Sequence, residues 1–202
     1  MGAKADNTRE AILDTAQNLI LRKGFSGTSL DEIIDGAGIT KGGFFYHFNG
    51  RAELAKNLLI RYLGDDDRIL RGLIEKAQSY SDNPVERLLI FLKLYAEVAD
   101  GMEDVHPGCL VATYTYESQQ FDPEISEMVR EGVESWKKHY LSLFQPAVES
   151  KSLREPFTAE KLADMLNAIL EGGIVLSKVS GSNRILVEQM LLYREILKIA
   201  FS

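Results

Sequence analysis

Apolar residues recur with the helical period along almost the whole chain, and no other feature of the sequence constrains the fold as much. Leu162, Leu166, Ile169 and Leu170, for example, follow the three- and four-residue spacing of one helix face. A half-buried strand would instead alternate apolar and polar residues, and such alternation is hard to find. The sequence therefore predicts an all-α protein of about nine helices, three short ones near the N-terminus and longer ones after them.

Capping signals set the expected helix starts. A side-chain oxygen at the N-cap accepts a hydrogen bond from a free backbone N–H, and proline is favoured at the first helical position. Ser29 with Glu32 has the capping-box spacing, and Thr40 precedes a short helix to about Phe48. The other expected helices are one from Asn7 with Glu10 to Gly24, one from Arg51 toward Tyr80, then 84–100, 123–145, one from Thr158 to about Val179, and one from Arg184 to about Phe201.

Charge is unevenly distributed. The chain has a net charge of −7, yet residues 1–62 are close to neutral and the acidic excess lies in the remainder. An acidic protein repels DNA overall, but a near-neutral segment permits a local DNA-facing surface.

The sequence also limits the compartment. Cys109 is the single cysteine, so no internal disulfide is expected and a reducing environment fits. The N-terminus lacks the apolar segment of a secretory signal, and no apolar run reaches the length of a membrane span. We expect a cytoplasmic protein with no membrane partner.

The segment GITKGGFFYHFNGRAEL, residues 38–54, is unusual for a helical protein. Each glycine in a helix costs about 1 kcal/mol relative to alanine, and aromatic residues follow the Gly42-Gly43 pair directly. Two short helices separated by Gly36-Ala37-Gly38-Ile39 describe a helix-turn-helix, whose second helix enters the major groove of DNA. Small residues at the start of that helix would let backbone N–H groups approach phosphates.

The aromatic residues of this segment are expected to have two roles. Phe44, Phe45 and Phe48 would pack onto the first helices, while Tyr46 and His47 would direct polar tips toward the duplex. The full set of predicted DNA-binding residues is Thr28, Ser29, Thr40, Lys41, Gly42, Gly43, Tyr46, His47 and Arg51.

Residues 8–62 resemble the DNA-binding domain of the TetR family of bacterial transcriptional regulators. The resemblance rests on AILDTAQNLILRKGFSGTSLDEIIDGAGITKGGFFYHFNGRAEL. Phe45 stands where family members commonly have tyrosine, so Tyr46 is expected to supply the hydroxyl; Gly43 stands where a hydroxyl residue is common. The resemblance implies a helix-turn-helix DNA-binding domain at 1–50 and a larger helical ligand-binding and dimerisation domain at 51–202.

The middle helices have amphipathic aromatic residues that suit the wall of a pocket for a small organic effector. The predicted ligand-binding residues are Tyr95, His106, Cys109, Tyr114, Tyr116, Trp136 and Tyr140. His106, Cys109 and His139 are potential metal ligands, but they lack the paired spacing of a metal site, so no metal or other cofactor is expected.

The final helix has apolar residues almost all round, which requires burial on all sides. Together with the preceding helix it predicts a four-helix interface between two subunits, in agreement with the dimer that the resemblance implies. The predicted dimerisation residues are Leu166, Leu170, Gly173, Val187, Met190, Leu191 and Arg194.

The sequence thus favours a homodimeric, ligand-responsive transcriptional regulator, most simply a repressor of a palindromic operator, and not an enzyme. Three alternatives stay open at this point. Cys109 near a helix start could be a redox or thiol sensor. Cys109 with His106 or His139 could form the nucleophile and base of a small helical enzyme. The same motif also fits an activator or a nucleic-acid-binding assembly factor.

Overall fold

A computed structural model describes residues 3–153 and 157–202. The described residues form nine α-helices and one 3-10 turn, Ser118–Gln120, and no strand, which confirms the predicted all-α class. The helices are α1 Ala3–Lys23, α2 Leu30–Gly36, α3 Lys41–His47, α4 Arg51–Tyr80, α5 Pro84–Asp100, α6 Leu110–Tyr116, α7 Pro123–Lys151, α8 Ala159–Ser180 and α9 Arg184–Ala200. Within these ranges, no helix combines the length and apolar character that a membrane span requires.

Four of the capping signals in the sequence are used as predicted. The Ser29 hydroxyl accepts the N–H of Glu32, whose carboxylate in turn accepts the backbone N–H of Ser29 at 2.9 Å. The hydroxyls of Thr40 and Thr158 cap α3 and α8 by accepting the N–H groups of Gly43 and Lys161. Asn83 accepts two N–H groups at the start of α5, directly before Pro84. Local sequence therefore determines where these helices begin.

Two predicted helix ends are wrong. Asn7 lies inside α1, which already begins at Ala3; Glu10 forms an ion pair with Arg61 of α4 and does not cap the helix. α7 continues through Pro146 to Lys151. Phe144 and Ala147, which lie two residues before and one residue after that proline, are both fully buried. Their packing outweighs the local cost of a proline in the helix.

The chain divides into two compact units that are not continuous in sequence. Unit 1 comprises residues up to Asp65 together with Pro107–Gly132, and unit 2 comprises Asp66–His106 together with the chain from Val133 onward. α4 and α7 therefore contribute residues to both units. The unit that contains α2 and α3 extends beyond residue 50. The predicted boundary between a DNA-binding part and a ligand-binding part stays a prediction.

Unit 2 is organised around α5, α8 and α9. Phe91 of α5, Leu166 of α8 and Met190 of α9 are fully buried in one cluster. The Tyr193 hydroxyl donates to the Leu162 carbonyl at 2.8 Å and ties α9 to α8. Burial of its ring raises the pKa of Tyr193, so the hydroxyl keeps its proton for this bond.

Gly173 allows α8 and α9 to approach closely. A Cβ atom at this position would lie 2.7 Å from Cδ1 of Leu186 and 3.1 Å from its Cα atom. Gly173, predicted as a dimerisation residue, therefore lies where the last two helices of one chain pack closely against each other. Gly172 beside it has no atom within 4 Å of the corresponding position.

We expect Gly173→Val to destabilise unit 2 by about 1–3 kcal/mol, because the added methyl groups overlap the backbone of α9. Gly72→Val in α4 is a matched control, since a Cβ atom there meets nothing within 4 Å. The control should change stability by no more than about 0.5 kcal/mol. Thermal and urea unfolding of both variants measures this, and equal stability of the two would contradict the packing described here.

Candidate nucleic-acid interface

α2 and α3 form the predicted helix-turn-helix. After α2, Gly38 adopts a left-handed backbone conformation with φ +65°, which residues other than glycine seldom adopt. The N–H of Ile39 then donates to the Ile34 carbonyl at 3.2 Å and closes the turn. Thr40 begins α3, its hydroxyl accepting the N–H of Gly43 at 3.1 Å. Turn and cap together fix the direction in which α3 leaves α2.

Phe44 and Phe48 anchor α3 to the rest of unit 1. They are 0% and 1% exposed, as predicted, and their ring centroids lie 5.7 Å apart. Ile12 of α1 and Leu54 of α4 are fully buried in the same unit. Phe44 lies within α3 and Phe48 directly follows it, so burial of this pair determines which residues of α3 face outward.

The outward face of α3 consists of Lys41, Gly42, Phe45 and Tyr46, all of them exposed. The expectation that Phe45 packs into the core is wrong: its side chain is 47% exposed, because it lies about 100° round the helix from Phe44. Tyr46 is 72% exposed and its ring meets that of His47 edge-on at 5.0 Å. His47 is only half-exposed, and its Nδ1 atom is buried without a hydrogen-bond partner among the residues that the structure describes.

Three predicted DNA-binding hydroxyls differ in how far they are already used. Ser29 and Thr40 are exposed caps of α2 and α3. Thr28 is 1% exposed and donates to the Gly24 carbonyl at 2.8 Å, so it stabilises the end of α1 and is not the cap of α2. Any DNA contact by Thr28 stays untested, and its hydroxyl has a partner inside the protein.

Arg51, the predicted phosphate anchor, lies against the segment that follows α1. Its guanidinium donates from Nη2 to the Phe25 carbonyl at 2.5 Å, and the guanidinium carbon lies 4.4 Å from the centroid of the Phe25 ring. A hydrogen bond and a cation–π contact therefore hold this side chain in one place.

Glu117, at the end of α6, was not found from the sequence. Its carboxylate accepts the backbone N–H groups of Phe25 at 2.8 Å and Ser26 at 2.7 Å. Partial burial raises the pKa of Glu117, but these hydrogen bonds and nearby Arg51 outweigh that effect and hold the pKa below its ordinary value of 4.5. The contact spans about ninety residues of chain, and no local pattern announces a contact of that separation.

Aromatic packing adds to the same contact. The Tyr114 ring lies 4.3 Å from the Phe121 ring and 5.9 Å from that of Phe25, centroid to centroid. The Tyr114 hydroxyl donates to the Ala55 carbonyl of α4 at 3.1 Å. α6 and the 3-10 turn therefore hold both the segment after α1 and the start of α4.

The predicted ligand-binding residues are not all in one unit. Cys109, Tyr114 and Tyr116 belong to unit 1, where the first two are buried and Tyr116 is 85% exposed. Tyr95, His106, Trp136 and Tyr140 belong to unit 2. There, the Phe91 ring lies 5.8 Å from the Tyr95 ring and 6.3 Å from the Tyr140 ring.

Burial lowers the pKa of His106. Nε2 of His139 lies 2.8 Å from Oδ1 of Asp67.

Most of the predicted dimerisation residues are used within the chain. Leu166, Leu170, Gly173 and Met190 are buried in unit 2, and the Arg194 guanidinium donates to the Leu89 carbonyl at 3.0 Å. Val187 is half-buried and Leu191 is 38% exposed. The other apolar residues exposed on the last two helices are Met165, Val175, Leu176, Val179, Leu192, Ile196 and Ile199.

Comparison with known proteins agrees with this architecture. Residues 12–58 match the profile described as bacterial regulatory proteins, tetR family. Residues 84–190, more than half of the chain, match the profile described as tetracyclin repressor-like, C-terminal domain.

Individual relatives match over most of their length. The transcriptional repressor DhaR of Mycobacterium sp. strain GP1 is 26% identical over 91% of this chain and 88% of its own. The uncharacterised regulator YxaF of Bacillus subtilis is 30% identical over 85% of each chain. A crystal structure of a TetR transcriptional regulator from Chloroflexus aurantiacus superimposes with a TM-score of 0.77 at 22% identity, covering 98% of this chain and 97% of that one.

We expect Glu117→Gln to destabilise unit 1 by about 1–3 kcal/mol at neutral pH, because an amide NH₂ group would face a backbone donor. The lowered pKa means that the carboxylate stabilises the fold above pH 4.5 and that this contribution is lost as the pH falls through the folded-state value. The difference from wild type should therefore shrink on acidification. Thermal melts between pH 3 and pH 7, in steps of about one unit, measure it.

Glu124→Gln is the matched control, since Glu124 is 60% exposed and pairs with Lys56 at the surface of the same unit. Such pairs contribute about 0–1 kcal/mol. Glu117→Gln melting together with wild type at pH 7 would contradict the role given to Glu117.

Proposed function

Because this chain belongs to the TetR family of bacterial transcriptional regulators, we propose that it represses transcription as a homodimer on a palindromic operator and that a small organic effector releases it. The observation that carries the DNA-binding part is the outward face of α3, which combines a lysine, a bare glycine backbone and two exposed aromatic rings. Its place of action is then the bacterial cytoplasm, where the DNA lies.

On DNA, α3 lies in the major groove and its residues divide by what they reach. Lys41 is exposed and has no ion-pair partner among the described residues, so it is free to neutralise a phosphate. The Tyr46 side chain is exposed, and its hydroxyl donates to the phosphate backbone of the DNA. Gly42 lets α3 approach the DNA closely. Ser29 and Thr40 lie at helix starts, where phosphates are favoured. Arg51 adds positive charge beside the segment after α1.

The last two helices form the dimer interface through residues that the single chain leaves uncovered. Val175 and Val179 on α8, and Leu192, Ile196 and Ile199 on α9, follow three- and four-residue spacing along one face of each helix. A contiguous apolar face of this kind favours a partner surface. Two such helices from each subunit make a four-helix interface. The dimer then presents two copies of α3 to successive major grooves, about 34–36 Å apart.

The effector binds among aromatic residues of the larger unit. Tyr95 and Tyr140 flank Phe91, and Trp136 packs against the same cluster. Burial, and then Tyr95 nearby, raises the pKa of Tyr140, so its hydroxyl stays a neutral hydrogen-bonding group in an apolar wall. The bound effector favours a spacing of the two α3 helices that no longer fits the operator. By thermodynamic linkage, the factor by which the effector weakens operator binding equals the factor by which the operator weakens effector binding. A thermal-shift screen of metabolites with the isolated protein tests for such a compound.

The thiol-dependent alternatives have less support. Cys109 is 6% exposed, and its sulfur accepts the N–H of Ala112 at 3.4 Å at the start of α6. A buried cysteine that caps a helix has a structural role, and buried thiols are poor nucleophiles. We therefore propose reversible ligand binding without enzymatic activity or thiol chemistry.

Lys41→Ala should weaken binding to every DNA sequence and lower the slope of log affinity against log salt by about one unit for each recognition helix. The physical reason is the loss of one released counterion per lysine–phosphate contact. The measurement is titration of an operator, obtained by selecting bound genomic fragments, at several salt concentrations. Lys138→Ala, an exposed lysine of α7, should leave both affinity and slope unchanged. If Lys41→Ala binds like wild type, α3 does not lie on DNA.

Leu192→Arg should dissociate the dimer, because it places an unpaired charge in an apolar interface. Sedimentation at micromolar concentration should find wild type dimeric and this variant mainly monomeric. Val98→Arg is the control: Val98 of α5 is 44% exposed and Leu192 is 53% exposed, so both variants should fold, and Val98→Arg should stay dimeric. A monomeric wild type would exclude this interface.

A further inference from the structure

Phe45 is an exposed apolar ring in the middle of the helix that the proposed function places in the major groove. Nearly half of its side chain is accessible, whereas Phe44 and Phe48 are fully buried. The core of unit 1 therefore does not need this ring. An exposed phenylalanine at such a position has no structural explanation inside the chain.

The ring is nevertheless held in a defined orientation. Its centroid lies 5.4 Å from that of Phe44, with the two planes at 88°, and this edge-to-face arrangement is favoured between aromatic rings. Because Phe44 is itself fully buried, Phe45 projects from a rigid base. A group held in this way loses little conformational entropy when it contacts a ligand.

The surroundings of the ring leave its outer surface open. Gly42 precedes Phe45 by three residues and so lies on the same helix face. A Cβ atom added at Gly42 would have only the Thr40 hydroxyl within 4 Å, at 3.9 Å. The space beside the ring at Gly42 is therefore open to a surface that approaches α3. The polar neighbours on this face, Lys41 and Tyr46, carry groups suited to phosphates.

The chemistry of Phe45 limits what it can recognise in the major groove. A phenyl ring neither donates nor accepts a conventional hydrogen bond, so it cannot read the donors and acceptors of the base edges. The apolar group that the major groove presents is the C5-methyl of thymine, a known partner of phenylalanine. Guanine and adenine edges would instead be desolvated without compensation.

We propose that Phe45 reads the C5-methyl group of a thymine at one position of each operator half-site. It is then a specificity-determining residue, whereas Lys41 and Tyr46 contribute affinity that depends little on sequence. This inference rests on the proposed function, since it requires α3 to lie in the major groove. It adds the identity of a base and of the group on that base that is recognised.

The test uses the full-length dimer and a duplex selected from random sequences by the wild-type protein. Each thymine of a half-site is replaced in turn by deoxyuridine, which removes the methyl group and keeps every hydrogen-bonding group. At one position, affinity of wild type should fall about fourfold, the value of one buried methyl group, and roughly fifteenfold when both half-sites are changed. Phe45→Ala should bind the two duplexes equally. Phe45→Tyr, which keeps the ring, should retain the preference.

A second set of duplexes adds a methyl group instead of removing one. When the sensitive base pair is changed to cytosine–guanine, 5-methylcytosine should bind wild type more tightly than cytosine does, and Phe45→Ala should not distinguish them. Thermal melts check that the variants fold; if Phe45→Ala melts early, Phe45→Gln, polar and helix-compatible, takes its place.

Two results would overturn the inference while the proposed function stands. One is specific binding that no deoxyuridine replacement weakens, or a selected site without thymine in its half-sites. The other is a methyl preference that Phe45→Ala and Phe45→Gln both retain. Failure of the wild-type protein to select any DNA would instead count against the proposed function itself.

Discussion

Burial of Phe44 in α3, and of Phe48 directly after that helix, determines which residues of α3 are exposed. The two rings are four residues apart and both fully enclosed, so they fix the rotation of a helix only seven residues long. Such a short helix has little stability of its own, and packing against α1 and α4 supplies what is missing. Once the rotation is set, Lys41, Gly42 and Phe45 must face outward. The chemistry that α3 exposes therefore follows from two buried residues.

Local signals allowed most of the fold to be predicted. Caps such as Ser29, Thr40 and Asn83 act over three or four residues, and the structure uses each of them as expected. Where a local signal failed, a tertiary contact had overruled it. Glu10 pairs with Arg61 and does not cap α1. α7 passes through Pro146 because Phe144 and Ala147, close to it in the helix, are buried.

The helix-turn-helix was predictable in position but not in detail. The sequence identified α3, because glycine, cap and aromatic residues lie within one short segment. It did not separate Phe45 from Phe44 and Phe48, since composition alone does not state which face of a seven-residue helix is buried. Glu117 was missed for a different reason: its partners, Phe25 and Ser26, lie more than ninety residues away. Contacts of that separation depend on topology, which periodicity does not encode.

The contacts of Glu117 also bear on how unit 1 is made and exchanged. Because Pro107–Gly132 belongs to the same compact unit as the residues up to Asp65, the ribosome must add more than half of the chain before the unit has all its parts. The N-terminal helices then form their last native contacts late, as expected where loop closure is long. In a hybrid regulator, the first sixty or so residues of one relative would be joined to the rest of another. The segment after α1 would then come from one parent and the carboxylate that binds its backbone N–H groups from the other. Faithful exchange requires grafting two separate stretches of sequence.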